Sequence, residues 1–212
     1  MLTVNEIFKS IQGESTYAGK PCIFIRLTGC NLRCSWCDTE YAFFEGKSLS
    51  VEDILAAIKP MGVRLVEITG GEPLLQDEVY DLMDTLLAKQ YQVLLETSGS
   101  LSLERVPPQV VKVVDFKCPG SGEEARNRWD NLDRLNPQDE VKFVLKDRTD
   151  YEWSRDILSK HGLDRKAQVL FSPVYDGLDL KDLACWVLED NLPVRVQTQL
   201  HKVIWGKHAI GV

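Results

Sequence analysis

Three cysteines, Cys30, Cys34 and Cys37, lie within eight residues of the chain at the spacing C-x3-C-x2-C. A structural zinc site closes with four ligands, commonly arranged as two pairs, and the chain offers no second cysteine pair. A bacterial ferredoxin supplies four thiolates per cluster in a C-x2-C-x2-C-x3-C run. The pattern instead indicates a 4Fe-4S cluster that is bound by three cysteines, so that one iron keeps an open coordination position. An open metal position is typical of a catalytic centre.

The other cysteines, Cys22, Cys118 and Cys185, are scattered along the chain. In a reducing compartment they are not expected to form disulfides, and each is most simply interpreted as a small buried apolar residue. Because cysteines alone do not specify a reaction, a noncatalytic electron carrier or metal-binding protein remains an alternative.

The composition favours a single folded domain over residues 1–212 that acts on a small molecule. The chain has 212 residues, 44% of them hydrophobic, and a net charge of −7. This acidic balance disfavours binding to nucleic acid or to an anionic membrane surface. The N-terminus lacks signal-peptide features, and no apolar run approaches the roughly 20 residues that span a bilayer. We therefore expect a cytoplasmic protein.

Alternating strands and helices must position the cysteines. Apolar, β-branched segments predict strands at residues 22–29, 64–70, 91–99, 110–116, 140–145, 168–173 and 194–198. Capping boxes predict helices that begin at Ser50 and Thr149 and end near Lys59 and Lys160, and two more helices are expected at residues 77–89 and 179–190. This alternation indicates an α/β fold with a mostly parallel sheet, either doubly wound or a partial βα barrel. The cysteines follow the first strand, at the edge where βα folds build active sites.

A long connection at residues 117–136 is rich in glycine, proline and charge. It is either a solvated loop or a loop over the active site, because long loops in compact domains are often functional.

The motif "TGGEP" at residues 69–73 follows the next predicted strand. Together with the cysteines it resembles the radical S-adenosylmethionine (SAM) superfamily, whose fold is a modified partial (β/α) barrel. The resemblance implies that SAM chelates the open iron and that an electron from the cluster cleaves SAM to a 5'-deoxyadenosyl radical. It also implies that Gly71 lets the backbone approach SAM, that Glu72 offers a carboxylate to its ammonium, and that Ser98 contacts SAM from the end of the following strand.

A narrower resemblance covers both ends of the chain. "EIFKSIQGES", "FIRLTGCNLRCSWCDTEYA" and "QTQLHKVIWG" resemble the family of 7-carboxy-7-deazaguanine synthases, which serve queuosine and other 7-deazapurine pathways. Members are homodimers that convert 6-carboxy-5,6,7,8-tetrahydropterin to 7-carboxy-7-deazaguanine with loss of ammonia, using SAM and Mg2+, and flavodoxin is a common reductant. A glycyl-radical-enzyme activase is the alternative within the superfamily, although it has no need of the terminal motifs.

The resemblance to this family implies roles for individual residues. The substrate contacts fall on Ile11, Gln12, Gly13, Glu14, Arg26, Thr69 and Val212. The further SAM contacts fall on Trp36, Cys37, Asp38, Asp115, Lys117, Ser172, Pro173, Val174 and Tyr175, and the magnesium ligand on Thr39. Arg26, in an apolar strand, would bind the substrate carboxylate, with a structural salt bridge as the alternative. No residue is assigned as the base for the elimination.

Overall fold

The computed structural model describes residues 1–212, and its strands form one sheet in the order β3-β1-β2-β4-β5-β6-β7-β8-β9. The strands are β1 (Leu2–Ile11), β2 (Pro21–Leu27), β3 (Lys47–Leu49), β4 (Leu65–Gly70), β5 (Gln92–Thr97), β6 (Val111–Asp115), β7 (Glu140–Leu145), β8 (Gln168–Pro173) and β9 (Arg195–Val196). The helices are α1 (Val51–Ile58), α2 (Val79–Ala88), α3 (Arg148–His161), α4 (Leu180–Glu189) and α5 (Leu200–Trp205).

The sheet is mostly parallel, as the alternation of strands and helices predicts. From β2 to β9 each neighbouring pair is parallel, whereas β1 pairs antiparallel with both β2 and β3. The sheet is open at β3 and β9. The α/β prediction is therefore confirmed, and the carboxyl ends of six consecutive parallel strands, β2 and β4–β8, meet at one edge.

Three elements were not predicted: β1, β3 and α5. β1 mixes polar and apolar side chains without a clean alternation, and its burial pattern is equally irregular. The strand predicted at residues 194–198 is reduced to the two-residue β9. β3 and β9 are the two edge strands of the sheet, and β1 and α5 depend on tertiary contacts that local preference does not encode.

Capping boxes were predicted at the starts of α1 and α3, and the structure has the one at α1 but not the one at α3. At α1 the Ser50 hydroxyl accepts from the Asp53 amide at 3.1 Å, and the Asp53 carboxylate accepts from the Ser50 amide at 3.0 Å, which confirms the capping box. The α3 prediction was wrong about the cap, because Asp147, not Thr149, accepts from the Asp150 amide at 3.1 Å. The Asp150 carboxylate cannot complete a box, since it accepts instead from the amides of Gly120 and Lys146.

Most of the apolar core lies between the sheet and its helices, in a cluster of 34 buried residues. A smaller cluster lies separately and forms an apolar plug from Cys22, Phe24, Leu65, Leu94 and Val111. Cys22 and Cys118 are buried as expected, but the prediction for Cys185 was wrong because it is exposed. Cys185 lies between Leu183 and Val187 on α4, and these two side chains occupy the core-facing side of the helix.

The connection at residues 117–136 forms three short 3-10 turns that pack beside the cysteine loop. The Ser35 amide donates to the Ser121 carbonyl at 3.0 Å, and the Arg33 amide donates to Glu123 Oε1 at 2.6 Å. The connection is therefore a support for the cysteine loop. No helix in the chain has the length and apolar character needed to cross a membrane.

Candidate active site

A cavity of about 710 Å3 lies at the carboxyl edge of the sheet. Residues from β1, β2 and β4–β8 line it, together with the cysteine loop and the C-terminal segment. Most of the predicted site residues share this cavity: Ile11, Gln12, Glu14, Arg26, Cys30, Cys34, Trp36, Cys37, Asp38, Thr39, Thr69, Gly71, Ser98, Asp115, Lys117, Ser172, Val174, Tyr175 and Val212. Gly13, Glu72 and Pro173 do not line it.

The thiols of Cys30, Cys34 and Cys37 are free and partly buried. Burial raises the pKa of all three thiols, that of Cys34 to about 11. They are consequently protonated at neutral pH in the protein alone, and a thiolate ligand forms only as a bound metal displaces the proton. No group of three histidine, cysteine, aspartate or glutamate side chains converges closely enough to hold a single metal ion.

Two further features fit a cluster with a bound cofactor. A side chain at Gly71 would run into the Gly29 carbonyl and Cys30, so the "TGGEP" turn and the cysteine loop approach each other as closely as glycine allows. In the cavity wall, Asp115 Oδ1 is buried and has no hydrogen-bond partner. A buried acceptor without a donor is costly unless a ligand supplies one.

Glu72 differs from the expectation that its carboxylate would meet an ammonium of SAM. The side chain is completely buried. Its two oxygens accept from Thr97 Oγ1 at 2.9 Å, from the Ser98 amide at 2.8 Å and hydroxyl at 2.5 Å, and from the Leu74 amide at 3.1 Å. Glu72 therefore ties the end of β5 to the turn after β4, and it positions Ser98 at the cavity.

The sequence left two roles open for Arg26, a structural salt bridge and the binding of a substrate carboxylate, and the surroundings of its side chain suit both. Its Nε donates to Glu6 Oε1 at 2.7 Å, which is the structural salt bridge. The guanidinium also lines the cavity and lies near the rings of Phe8 and Tyr41. Because one planar guanidinium has five N–H donors, the bond to Glu6 leaves donors that can bind a carboxylate.

The helix α5 closes the cavity over the cysteine loop. Lys202 Nζ lies 2.6 Å from Asp38 Oδ2, and the Thr39 hydroxyl donates to Asp38 Oδ1 at 2.9 Å. Burial by itself would raise the pKa of Asp38, but the Lys202 ammonium outweighs it and lowers the pKa. The Leu200 amide donates to the Gly13 carbonyl at 2.9 Å, and a side chain at Gly13 would collide with His201. Gly13 is therefore needed for the docking of α5.

Two buried charged residues in the cavity wall, Glu67 and Lys142, were not among the predicted site residues. Each lies in an otherwise apolar strand segment, "VEITG" and "VKFVL", which is the signal that singled out Arg26. Glu67 is 3% exposed and Lys142 is 4% exposed. Buried charges require partners, and both residues find them in the same cavity.

Lys142 connects carboxylates from three different parts of the chain. Its Nζ lies 2.9 Å from Glu14 Oε2 and 3.5 Å from Asp115 Oδ2, and it donates to Glu96. Burial alone would lower the pKa of Lys142, but the neighbouring carboxylates raise it well above its usual value. Lys142 is therefore a fixed positive charge at neutral pH, and it holds Glu14 and Glu96 in place.

Comparisons with known proteins agree with one another. Residues 24–114 match the family model of the Radical SAM superfamily. The chain is 50% identical to a 7-carboxy-7-deazaguanine synthase of Koribacter versatilis over the full length of both chains. It is 42% identical to that of Chlorobaculum tepidum, covering 100% of this chain and 97% of the relative. The crystal structure of QueE from Escherichia coli matches with a TM-score of 0.78 at 28% identity, covering 94% of each chain.

Proposed function

Because the chain belongs to the 7-carboxy-7-deazaguanine synthase family of radical SAM enzymes, we propose that it converts 6-carboxy-5,6,7,8-tetrahydropterin to 7-carboxy-7-deazaguanine and ammonia. The observation that carries this proposal is the shared cavity. Three free thiols, a guanidinium with unused donors and a set of buried carboxylates all line it. An electron carrier has no need of such a cavity for a polar substrate.

In the proposed cofactor site, Cys30, Cys34 and Cys37 hold the 4Fe-4S cluster. The cluster and SAM, when bound, supply a radical that removes a hydrogen atom from the substrate. The unpartnered Asp115 Oδ1 accepts a hydrogen bond from SAM, and Gly71 gives the cofactor close access to the backbone. Lys117 lies 3.1 Å from Asp115 and fixes its carboxylate. Trp36, Ser98 and the segment 172–175 complete the SAM contacts.

In the proposed substrate site, Arg26 binds the carboxylate of the pterin through its free donors. Gln12 and Glu14 contact the hydrogen-bonding edge of the ring, where the Glu14 carboxylate accepts from ring N–H groups. Burial by itself would raise the pKa of Glu14, but Lys142 outweighs it and lowers the pKa, which keeps the carboxylate ionised as an acceptor. The neighbouring contacts come from Ile11, Gly13, Thr69 and Val212.

We assign Mg2+ to Thr39, with the remaining ligands taken from water and the substrate carboxylate. Magnesium needs few protein ligands because it keeps several waters. The Thr39 side chain lines the cavity, and its hydroxyl lies beside the Asp38 carboxylate, so the site offers oxygen ligands of the kind that magnesium prefers. The ion would neutralise the substrate carboxylate and orient it toward Arg26.

The proposal extends to the setting of the enzyme. Residues 1–212 act as one radical SAM domain in a cytoplasmic homodimer, a flavodoxin-like protein supplies the electron, and neither nucleic acid nor membrane takes part. The net charge of −7 supports the exclusion of nucleic acid and of an anionic membrane surface as partners.

The test is product analysis with the anaerobically reconstituted protein, carboxytetrahydropterin, SAM and dithionite, with and without Mg2+. We expect 7-carboxy-7-deazaguanine and ammonia in equal amounts, SAM recovered unchanged, and a rate that rises on adding Mg2+. Substitution of Thr39 by alanine should raise the Mg2+ concentration needed for half-maximal rate, while Thr39→Ser should preserve it. Absence of the deazaguanine under these conditions would overturn the proposed reaction, and a rate indifferent to Mg2+ would overturn the magnesium assignment alone.

A further inference from the structure

Five residues form a closed ring of contacts in the cavity wall, which we call the carboxylate ring: Gln12, Glu14, Glu67, Glu96 and Lys142. The Gln12 amide donates to Glu67, and Glu67 in turn contacts the carboxyl of Glu96. Lys142 then donates to Glu96 and, at 2.9 Å, to Glu14 Oε2. The ring closes where the backbone N–H of Glu14 donates to Gln12 Oε1 at 2.9 Å.

Strand order brings the two carboxyls of the ring together. β4 and β5 are parallel neighbours, and Glu67 pairs with Leu94, so Glu96 is the next residue on the same face of β5. Both side chains line the cavity. The apolar plug, which includes Phe24 and Leu94, adjoins them. The pair therefore borders the substrate cavity on one side and an apolar region on the other.

The charges of the carboxylate ring do not balance unless a proton is shared. Three carboxyls, Glu14, Glu67 and Glu96, face a single ammonium, because Asp115 is already paired with Lys117. Two carboxyls in contact cannot both ionise at low cost. Burial and the neighbouring Glu96 both raise the pKa of Glu67 well above its usual value. One proton is therefore shared by the Glu67–Glu96 pair, and in the resting enzyme Glu67 carries it.

Groups from every neighbouring element act on this pair. The titratable side chains that face Glu67 or Glu96 are Glu14, Cys22, Arg26, Glu140, Lys142 and His201. The cations Arg26 and Lys142 lie on the Glu96 side of the pair, while the apolar plug borders Glu67 and favours its neutral form. Because the shared proton rests on Glu67, Glu67 is the acid of the pair and Glu96 is the base.

We infer that the Glu67–Glu96 pair is the proton-transfer couple for the loss of ammonia from the rearranged substrate. This inference rests on the proposed function, since it concerns the step that follows hydrogen-atom transfer. It assigns the base that the sequence left unassigned. Lys142 is a positioning residue, because it holds Glu96 while touching neither reacting atom.

The step balances in protons and electrons. The Glu96 carboxylate removes a proton from the ring carbon adjacent to the carbon that bears the amine, and the C–H electron pair becomes the new double bond between these two carbons. The C–N bond breaks with its electron pair on nitrogen, which takes the proton of Glu67 and leaves as ammonia. Glu96 then passes its proton to the Glu67 carboxylate. The pair begins and ends each turnover with one proton, so no external acid or base is consumed.

The test separates elimination from hydrogen-atom transfer in the reconstituted enzyme. Carboxytetrahydropterin that carries deuterium on its reduced ring carbons reports the transfer, through deuterium that appears in recovered SAM. In Glu67→Gln we expect this exchange to persist while deazaguanine formation falls by about 10²–10⁴, the usual contribution of general acid–base catalysis. The matched control is Glu45→Gln, the same substitution at an exposed carboxyl outside the cavity, which should leave both rates unchanged.

Several results would overturn this assignment. Normal deazaguanine formation in Glu67→Gln would do so, and so would an equal fall in exchange and product, because Glu67 would then act before the elimination. If the variant does not fold, the infrared spectrum of the wild type decides: a carbonyl band of a protonated carboxyl must be present at pH 7 and shift in Glu96→Gln. If the wild type exchanges deuterium but makes no deazaguanine, the proposed function is wrong, and so is this assignment. If the wild type is fully active and Glu67→Gln is equally active, only the assignment is wrong.

Discussion

Cys34 occupies the middle of the cluster motif, and the pKa of its thiol is raised by burial to about 11. Such a thiol is a poor ligand until a metal displaces its proton, so cluster binding is coupled to proton release. We expect Cys34→Ala to lose most of its iron and sulfide after anaerobic reconstitution and to abolish SAM cleavage. The control is Cys185→Ala on the exposed side of α4, which should match the wild type. Full SAM cleavage by Cys34→Ala would contradict the ligand assignment.

Glu67 predicts how stability depends on pH. Its pKa in the folded protein is raised above the usual 4.5, so its neutral form stabilises the fold at low pH, and this contribution is lost as pH rises toward the folded-state pKa. The glutamine in Glu67→Gln cannot ionise, so the stability of the variant does not fall for this reason as pH rises. We therefore expect the melting temperature of the variant to rise relative to wild type between about pH 5 and pH 8. The exposed Glu45→Gln should show no such trend, and a flat difference for Glu67→Gln would show that Glu67 is ionised throughout.

At the scale of elements, the turns after β2 and β4 form one unit. Glu72 joins the second turn to the end of β5 through hydrogen bonds to Thr97 and Ser98, and its own amide donates to the Gly29 carbonyl at 2.8 Å. The modified partial (β/α) barrel of the radical SAM type is confirmed. Its open sheet leaves the cavity uncovered, and α5 covers it by docking on Gly13.

The contact between these turns predicts the effect of Gly71→Ala. The new methyl group would collide with the Gly29 carbonyl and Cys30, and overpacking of this kind costs about 1–3 kcal/mol. We expect lower iron content and weaker SAM binding, measured by iron analysis and equilibrium binding. Gly19→Ala is the control, because it strains a turn with positive φ but meets no neighbouring atom. Equal cluster loading in both variants would contradict a close approach at Gly71.

At the scale of the whole molecule, α5 presents apolar side chains to solvent although it closes the active site. Val203 is 68% exposed and Trp205 is 49% exposed, and contiguous apolar exposure is typical of an interaction surface. For the proposed homodimer we expect a solution mass of twice the 24.1 kDa chain by light scattering. Val203→Glu should shift this mass toward the monomer. If Leu188→Glu on α4 alone does so, the interface lies elsewhere, and a monomeric wild type would exclude the dimer.

Much of the protein was determined by local sequence. The cysteine spacing and the capping box at Ser50 operate over a few residues, and the strand segments follow from alternating or continuous apolar runs, so each could be predicted without knowledge of the fold. The motif "TGGEP" indicated the turn at which the cavity forms, because the carboxyl ends of parallel strands meet at one edge. The terminal motifs added the resemblance to the family.

The tertiary structure alone decided which charges face one another. Glu96 and Lys142 are 46 residues apart, and their contact depends on the order and register of β5, β6 and β7. The same holds for Glu72, whose carboxylate is taken up by Thr97 and Ser98. A sequence shows that a buried charge needs a partner, whereas only strand order and register select the partner. The carboxylate ring is therefore a property of the folded sheet, because its members come from four separate segments of the chain.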